Sequence, residues 1–351
     1  MFTHFALWAL VALMLLLGYG AGASATATLA EPVTSEPPAV TGRLVIYSGR
    51  SEPLIQPVLD AFQALHPNVE ILVKSGKNSD LANALLEERA NPQADVFITT
   101  EMITAQALYL QGALESYRPV GADLIPAEFL GPDDAWVGLT RRVRVIMFNT
   151  DRVSPSEAPQ SIFDLTGPAW MGQVAAAGST NGSMQAQIAA MRQLLGDDGT
   201  ETWLRGLLHN QVAFFGSHTD VRKAVGAGEF KIGLVNHYYY YLQRAEGSPV
   251  GIVFPDQGED QIGLISNATA AAVVKGARNL PAAQRLLDFL LSPQGQQLFA
   301  ELNYEYPLVA GVALHPEVEP LAGLRLAEVD VAAAALEIDA TFDLIESVGL
   351  P

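Results

Sequence analysis

Four consecutive tyrosines, Tyr238 to Tyr241, follow an Asn236-His237 pair in the run VNHYYYY. A phenolate is a hard anionic oxygen donor, and hard trivalent cations such as ferric iron prefer oxygen ligands. Two adjacent phenolates therefore offer a way to hold a ferric ion without any thiol. Tyrosines also favour strands and interfaces, where ring and hydroxyl meet different surroundings, so the run alone also fits a packing role. The chain contains no cysteine, which excludes a zinc-thiolate site, a disulfide framework, a cysteine nucleophile and a lipid-modified N-terminal Cys.

Adjacent ligands need a particular backbone. Neighbouring residues of a flat strand point to opposite faces, so two adjacent ligands require a strand-to-helix turn. Leu234-Val235 ends a β-rich run, Asn236 is a good N-cap, and Tyr238 to Glu246 reads as a helix stopped at Gly247. With Tyr238 facing a cleft, His237 points away, and Tyr240 and Tyr241 pack or line the rim. His66, His209 and His315 have no metal-ligand spacing to one another and read as surface residues.

The surrounding elements alternate. Leu44–Tyr47, Val69–Val73, Ala94–Thr99 and Val143–Phe148 read as strands, with helical spacing over Glu52–Leu65, Leu81–Glu88 and Met102–Gln111. The alternation restarts around Val174, Gln185–Leu195, Val212–Phe215, Val221–Val225 and Ile232–Val235. A strand at Ala270–Val274 and helices at Pro281–Leu291 and Pro293–Leu302 follow. Such alternation implies parallel α/β sheets, and 351 residues imply two domains or lobes. Ligands of open α/β sheets sit beyond the carboxyl ends of the strands. Polar, small-residue loops gather at such ends: Ser48-Gly49-Arg50-Ser51, Ser79-Asp80, Thr99-Thr100-Glu101, Ser179 to Ser183, and Asn236-His237.

The formal net charge of −18 argues against nucleic-acid binding, which needs a basic footprint, and suits a protein that meets a cation. An apolar run from Phe5 to Gly18, followed by small residues with Ala23-Ser24-Ala25, reads as a secretory signal over 1–25. A proline-bearing leader over 26–42 then precedes the first strand. The expected location is the periplasm, as a free protein.

Taken together, IYSGRSEPLIQPVLDAF, LANALLEE, ADVF, GLTRRVRVIMFNTD, GSTNGSMQAQIAAM, AVGAGEFKIGLVNHYY and DFLLSPQGQQLFAELNYEYPL resemble the periplasmic ferric-ion-binding proteins of bacterial ABC iron importers. They run in family order from about residue 43 to 310. The resemblance implies a two-lobed type II periplasmic binding protein. Each lobe is a mixed, mostly parallel sheet with flanking helices, hinged by crossover strands near Val143–Phe148 and Ile262–Val274. It places the first lobe at 43–143 and 266–310, the second at 144–265, and a helical tail at 311–351. It implies a monomer that captures Fe(III) between the lobes and delivers it to an inner-membrane ABC permease and its ATPase.

Carried over residue by residue, the family's ligand tyrosines fall on Tyr238 and Tyr239. The His that some members supply from the first loop is Ser51 here. The acidic ligand after ADVF falls on Thr100, with Glu101 one residue late, and a third tyrosine used by some members falls near Met184, which is no hard oxygen ligand. A synergistic carbonate or phosphate would fill the gap. Its expected surroundings are Ser48, Gly49, Arg50 and Ser51, then Thr100 and Arg142, the helix N-terminus Asn181-Gly182-Ser183, His218 and Asn236. Exposed amides at a helix start attract anions, and Arg presents a fork matched to their oxygens. For Arg142 and Arg144 an ion pair between crossover strands is the alternative.

No HExxH, GxSxG or GxxxxGK[ST] motif is present, so a binding protein is expected in preference to an enzyme. The competing function is a binder of the same fold that takes a small anion or an organic solute without metal.

Overall fold

The computed structural model describes residues 39–351. The expected signal segment and the leader as far as residue 38 lie outside the described residues. Among the described residues no helix is long and apolar enough to cross a membrane.

Two α/β lobes form. The first opens with β1 (Gly42–Ser48), α1 (Glu52–Leu65), β2 (Val69–Ser75), α2 (Asn78–Glu87), β3 (Val96–Thr99), α3 (Met102–Leu110) and β4 (Leu114–Glu115), and leads into β5 (Val137–Asn149). Then come β6 (Val174–Ala177), α4 (Gly182–His209), β7 (Ala213–Phe215), α5 (His218–Gly226), β8 (Ile232–Asn236), α6 (His237–Ala245) and β9 (Val250–Val253). The chain returns through β10 (Ser266–Val274), α7 (Leu280–Leu290), α8 (Pro293–Asn303) and β11 (Tyr306–Pro307), and ends in α9 (Val331–Leu336) and α10 (Ile338–Val348).

The strand order is β2-β1-β3-β10-β5-β8-β6-β7, with β4 on β10 and β9 and β11 on β5. The βα repeats give parallel pairs, β1 with β2 and β3, and β6 with β7 and β8. The two strands that cross between lobes run antiparallel to their neighbours. Strand β5 is longer than the apolar run 143–148 implies, because its first half, VGLTRR, pairs with β10 while its second half pairs with β8 and β9. The changeover falls between Val143, opposite Ser266, and Arg144, opposite Asn236. Arg142 and Arg144, two residues apart on one face of a strand, therefore sit where the sheets meet.

Each lobe has its own core. In the first, Leu44, Ile46, Phe97 and Ile98 of the sheet pack with Leu59, Phe62 and Leu286. In the second, Ile146, Val174, Ile232 and Leu234 pack with Ile188, Leu204 and Leu207 of α4. On the opposite face Val143, Val145, Met147 and Val235 pack with the four tyrosines. Helix α4 runs well past the expected end at Leu195, with one non-helical residue, Gly196, at φ 73°. The tail does more than trail: α9 packs Ala334 and Ala335 between Ile103 of α3 and Ala186 and Ala189 of α4. It adds a third crossing to those made by β5 and by the segment entering β10.

Candidate functional site

Strand β8 ends at Asn236 and α6 begins at His237, the turn that lets two adjacent tyrosines share a direction. The rings of Tyr238 and Tyr239 lie 4.3 Å apart, centroid to centroid, both are buried, and both line a cleft of about 300 Å³. Tyr239's phenol is pushed well above its ordinary value, first by burial and then by Tyr238, against the pull of Arg50 and Arg142. The other two tyrosines are buried outside that cleft, and Tyr241's hydroxyl accepts the Glu319 amide at 2.9 Å. His237 turns away: its Nδ1 accepts from Val143 N at 3.4 Å, so Nε2 carries the proton and donates to Tyr304 O at 2.9 Å. Burial pulls its pKa down to about 3.

Of the residues expected around the site, Gly49, Arg50, Ser51 and Thr100 line the cleft from the first lobe, joined by Arg142. Asn181, Gly182, Ser183 and His218 line it from the second. Ser48, Glu101 and Asn236 do not. Ser48's hydroxyl accepts the Arg50 amide at 3.2 Å and so shapes the loop from behind.

Glu101, expected as a metal ligand, is a helix cap. Its Oε2 accepts Thr104 N at 2.9 Å, and Oε1 accepts from Asn78 Nδ2 and Thr99 Oγ1, each at 3.2 Å. The apolar start of α3 leaves amides that need an acceptor, and Glu101 stands at the N-cap, one residue past the cleft-facing Thr100. Burial raises its pKa against those hydrogen bonds. Asn236 corrects the expectation in the opposite sense. It occupies the N-cap position of α6, yet its side chain makes no capping bond. It accepts from Arg144 Nη1 at 3.1 Å and donates to Ser183 Oγ at 3.2 Å.

The amides at the start of α4 are also less available than expected. Asn181 Oδ1 accepts from Ser183 N at 3.1 Å and Met184 N at 3.2 Å, leaving Gly182 N–H as the open donor at this helix start among the described residues. Gly182 is held close to the first lobe, since a Cβ there would collide with Asn78 Nδ2 and come within 2.8 Å of Thr100 Oγ1. Asn78, which the sequence reading passed over, also crowds Gly49 and donates to Thr100 Oγ1 at 2.7 Å. It fixes the geometry of the cleft floor, and its only sequence signal was its place between a strand and a helix.

Arg50 is anchored by a partner remote in sequence. Its guanidinium forms a buried ion pair with Glu305 and donates to Thr269 Oγ1 at 2.7 Å. Burial would raise Glu305, but Arg50 and Arg142, with hydrogen bonds from Arg50 and Thr140, hold its carboxyl below its ordinary value. Arg142 donates to the same Thr269 hydroxyl. The ion pair expected as an alternative role for Arg142 and Arg144 is absent among the described residues. Arg144 instead donates to Gln187 Oε1 at 2.7 Å, to Asn236 and to His218 Nε2 at 3.0 Å. Burial pulls Arg144 down to about 9, opposed by its attraction to Tyr238 and Tyr239. Because arginine only donates, His218 Nε2 must accept and Nδ1 carries the proton. That Nδ1 is buried and has no partner.

The described residues contain no group of three or more His, Cys, Asp or Glu side chains that could hold a metal. What the cleft offers a cation is therefore phenol and hydroxyl oxygen, and what it offers an anion is Arg142, His218 and the Gly182 amide. Residues 91–324 match the family of bacterial extracellular solute-binding proteins. The chain belongs to that family. The solute-binding protein is 28% identical to the "Fe(3+)-binding periplasmic protein" of Serratia marcescens, over 88% of this chain and 90% of the relative. It is 31% identical to "Iron uptake protein A1" of Synechocystis sp., over 71% of each. Among solved structures, iron-bound HitA from Pseudomonas aeruginosa superimposes with a TM-score of 0.80 at 28% identity, covering 88% of this chain and 99% of that one.

Proposed function

We propose that this solute-binding protein captures ferric iron in the cleft between its lobes and delivers it to an ABC permease with its ATPase. The observation that carries the reading is the buried Tyr238–Tyr239 pair at the β8–α6 turn, its rings tilted against each other 4.3 Å apart and facing Thr100 and Arg50 across the cleft. Two phenolates supply hard anionic oxygen, and a carbonate or phosphate held by Arg142, His218 Nδ1 and Gly182 N–H completes the coordination. Arg50 supports that anion from its place on Glu305. Residues 1–25 direct export to the periplasm, and the protein acts as a monomer. The relatives' names support the cargo, since one is called Fe(3+)-binding and another structure holds iron.

Ferric titration of the purified protein in bicarbonate, followed by visible absorption, tests this. A tyrosinate-to-iron charge-transfer band is expected to grow to a one-to-one endpoint. A protein that binds anions but stays colourless would establish the competing, metal-free function, which the buried arginines would also serve.

Delivery needs a mechanical signal. With lobes at 43–143 plus 266–310 and at 144–265, the tyrosines and Thr100 belong to different bodies, so a ligand touching both favours the closed state by its differential affinity. The tail over 311–351 travels with this motion, since α9 packs on both lobes. Small-angle scattering should show a smaller radius of gyration in the ferric-loaded protein, and an unchanged radius would confine the site to one lobe.

A further inference from the structure

A second, larger cavity of about 720 Å³ adjoins the tyrosine cleft and shares only Arg142 and Ser183 with it. Its volume lies within the range of pockets that enclose small organic molecules, roughly 300–1,000 Å³. One end is built from Arg142, Arg144, Gln187 and Asn236, where the two sheets exchange β5. The walls further out carry an apolar strip of Ile103 from α3, Phe129, Ala190 from α4, and Leu326 and Val329 from the tail, with Gln193, Ser266 and Asn267 beside it.

The two arginines lack what buried cations ordinarily have. Neither forms an ion pair with a carboxylate among the described residues. Glu305, which feels Arg142, is held by Arg50 and Thr140. Arg142 Nε and Arg144 Nη2 are buried without any hydrogen-bond partner. A buried charge and unpaired donors are costly unless an anion meets them. The cavity's acidic residues, Glu128, Glu328 and Asp330, are all solvent-exposed. Glu128 is paired with Arg141 at 3.2 Å, and Asp330 caps α9. They leave Arg142 and Arg144 as the charged groups at the buried end, below walls that are apolar in part.

We propose that this cavity binds a small organic anion, with a carboxylate or phosphate on Arg142 and Arg144 and an apolar body between Ile103, Phe129 and Val329. Neither tyrosine lines it and Arg144 lies outside the tyrosine cleft, although Arg142 faces both spaces and also serves the anion of the ferric reading, so the test uses metal-free protein. A guanidinium fork suits either acid group, and the cavity extends well beyond what a bare inorganic ion would fill.

Calorimetric titration of the metal-free protein with phenylphosphate and, separately, with 3-phenylpropanoate tests the proposal, and the tighter of the two identifies the acid group. At least one is expected to bind saturably at one site per chain. Arg144→Gln removes the charge and should weaken that binding about tenfold or more, as loss of a charge-assisted hydrogen bond does. Val329→Trp leaves the arginines in place and fills the cavity from the tail, so it tests the same site should Arg144→Gln fail to fold. It should abolish binding of the probe. If neither probe saturates, or if Val329→Trp binds the probe as tightly as the wild type, the proposal is overturned.

Discussion

Tyr238→Phe combined with Tyr239→Phe is expected to abolish both the visible band and tight ferric binding while leaving the fold intact. Phenylalanine keeps each ring, and with it the packing of α6 on Val143, Val145 and Met147. What disappears is the pair of oxygens. Removing groups that merely orient a ligand costs roughly 10–100-fold in metal affinity, so losing two direct ligands should cost considerably more than that. Each single variant should fall between. Proton competition adds a second signature. Burial and the neighbouring Tyr238 push the Tyr239 phenol well above its ordinary value, so the ion must displace a tightly held proton from it. Ferric affinity should therefore fall as pH drops, by at most about 100-fold per pH unit if two phenols release their protons on binding. A double variant that retains colour and affinity, or a wild type whose affinity ignores pH, removes the tyrosines from the site.

The fold was largely legible because its elements are local. Apolar periodicity fixed α1, α3, α7 and α8 to within about a residue or two at either end, and β-rich runs marked β1, β2 and β8. The turn after β8 was legible too, since Asn, His and the tyrosines follow an apolar strand. The misreadings share a cause. Glu101 and Asn236 were each assigned by residue type, but which of two adjacent polar residues caps a helix depends on the partner facing it, Asn78 in one case and Arg144 in the other. Arg144's role has no local sequence signal, because its neighbours Gln187, His218 and Asn236 come from three separate elements of the second lobe. The Arg50–Glu305 pair spans 255 positions, and no local pattern reports a contact of that range.

That pair carries the last expectation, because it entangles stability with binding. Glu305→Gln leaves the Arg50 guanidinium buried without its counter-charge, and breaking a buried pair from one side costs about 3–5 kcal/mol. Arg50→Ala should cost a similar amount by stranding the carboxylate. Replacing both, as Arg50→Met with Glu305→Gln, removes the unpaired charge and should recover most of that loss. Acid sensitivity should follow. Glu305's carboxyl is held below its ordinary value in the folded state, so its contribution is present above the unfolded pKa of about 4.3 and is lost as pH falls through the folded one. Glu305→Gln should flatten that decline, as read by urea unfolding from neutral pH downward. Binding separates the two roles of Arg50. If it supports the synergistic anion, Glu305→Gln retains anion-dependent ferric binding because the guanidinium remains in the cleft, whereas the double variant regains stability without regaining anion dependence. Were the double variant to bind ferric iron like the wild type, Arg50 would be a structural residue only, and the anion would rest on Arg142, His218 and the Gly182 amide alone.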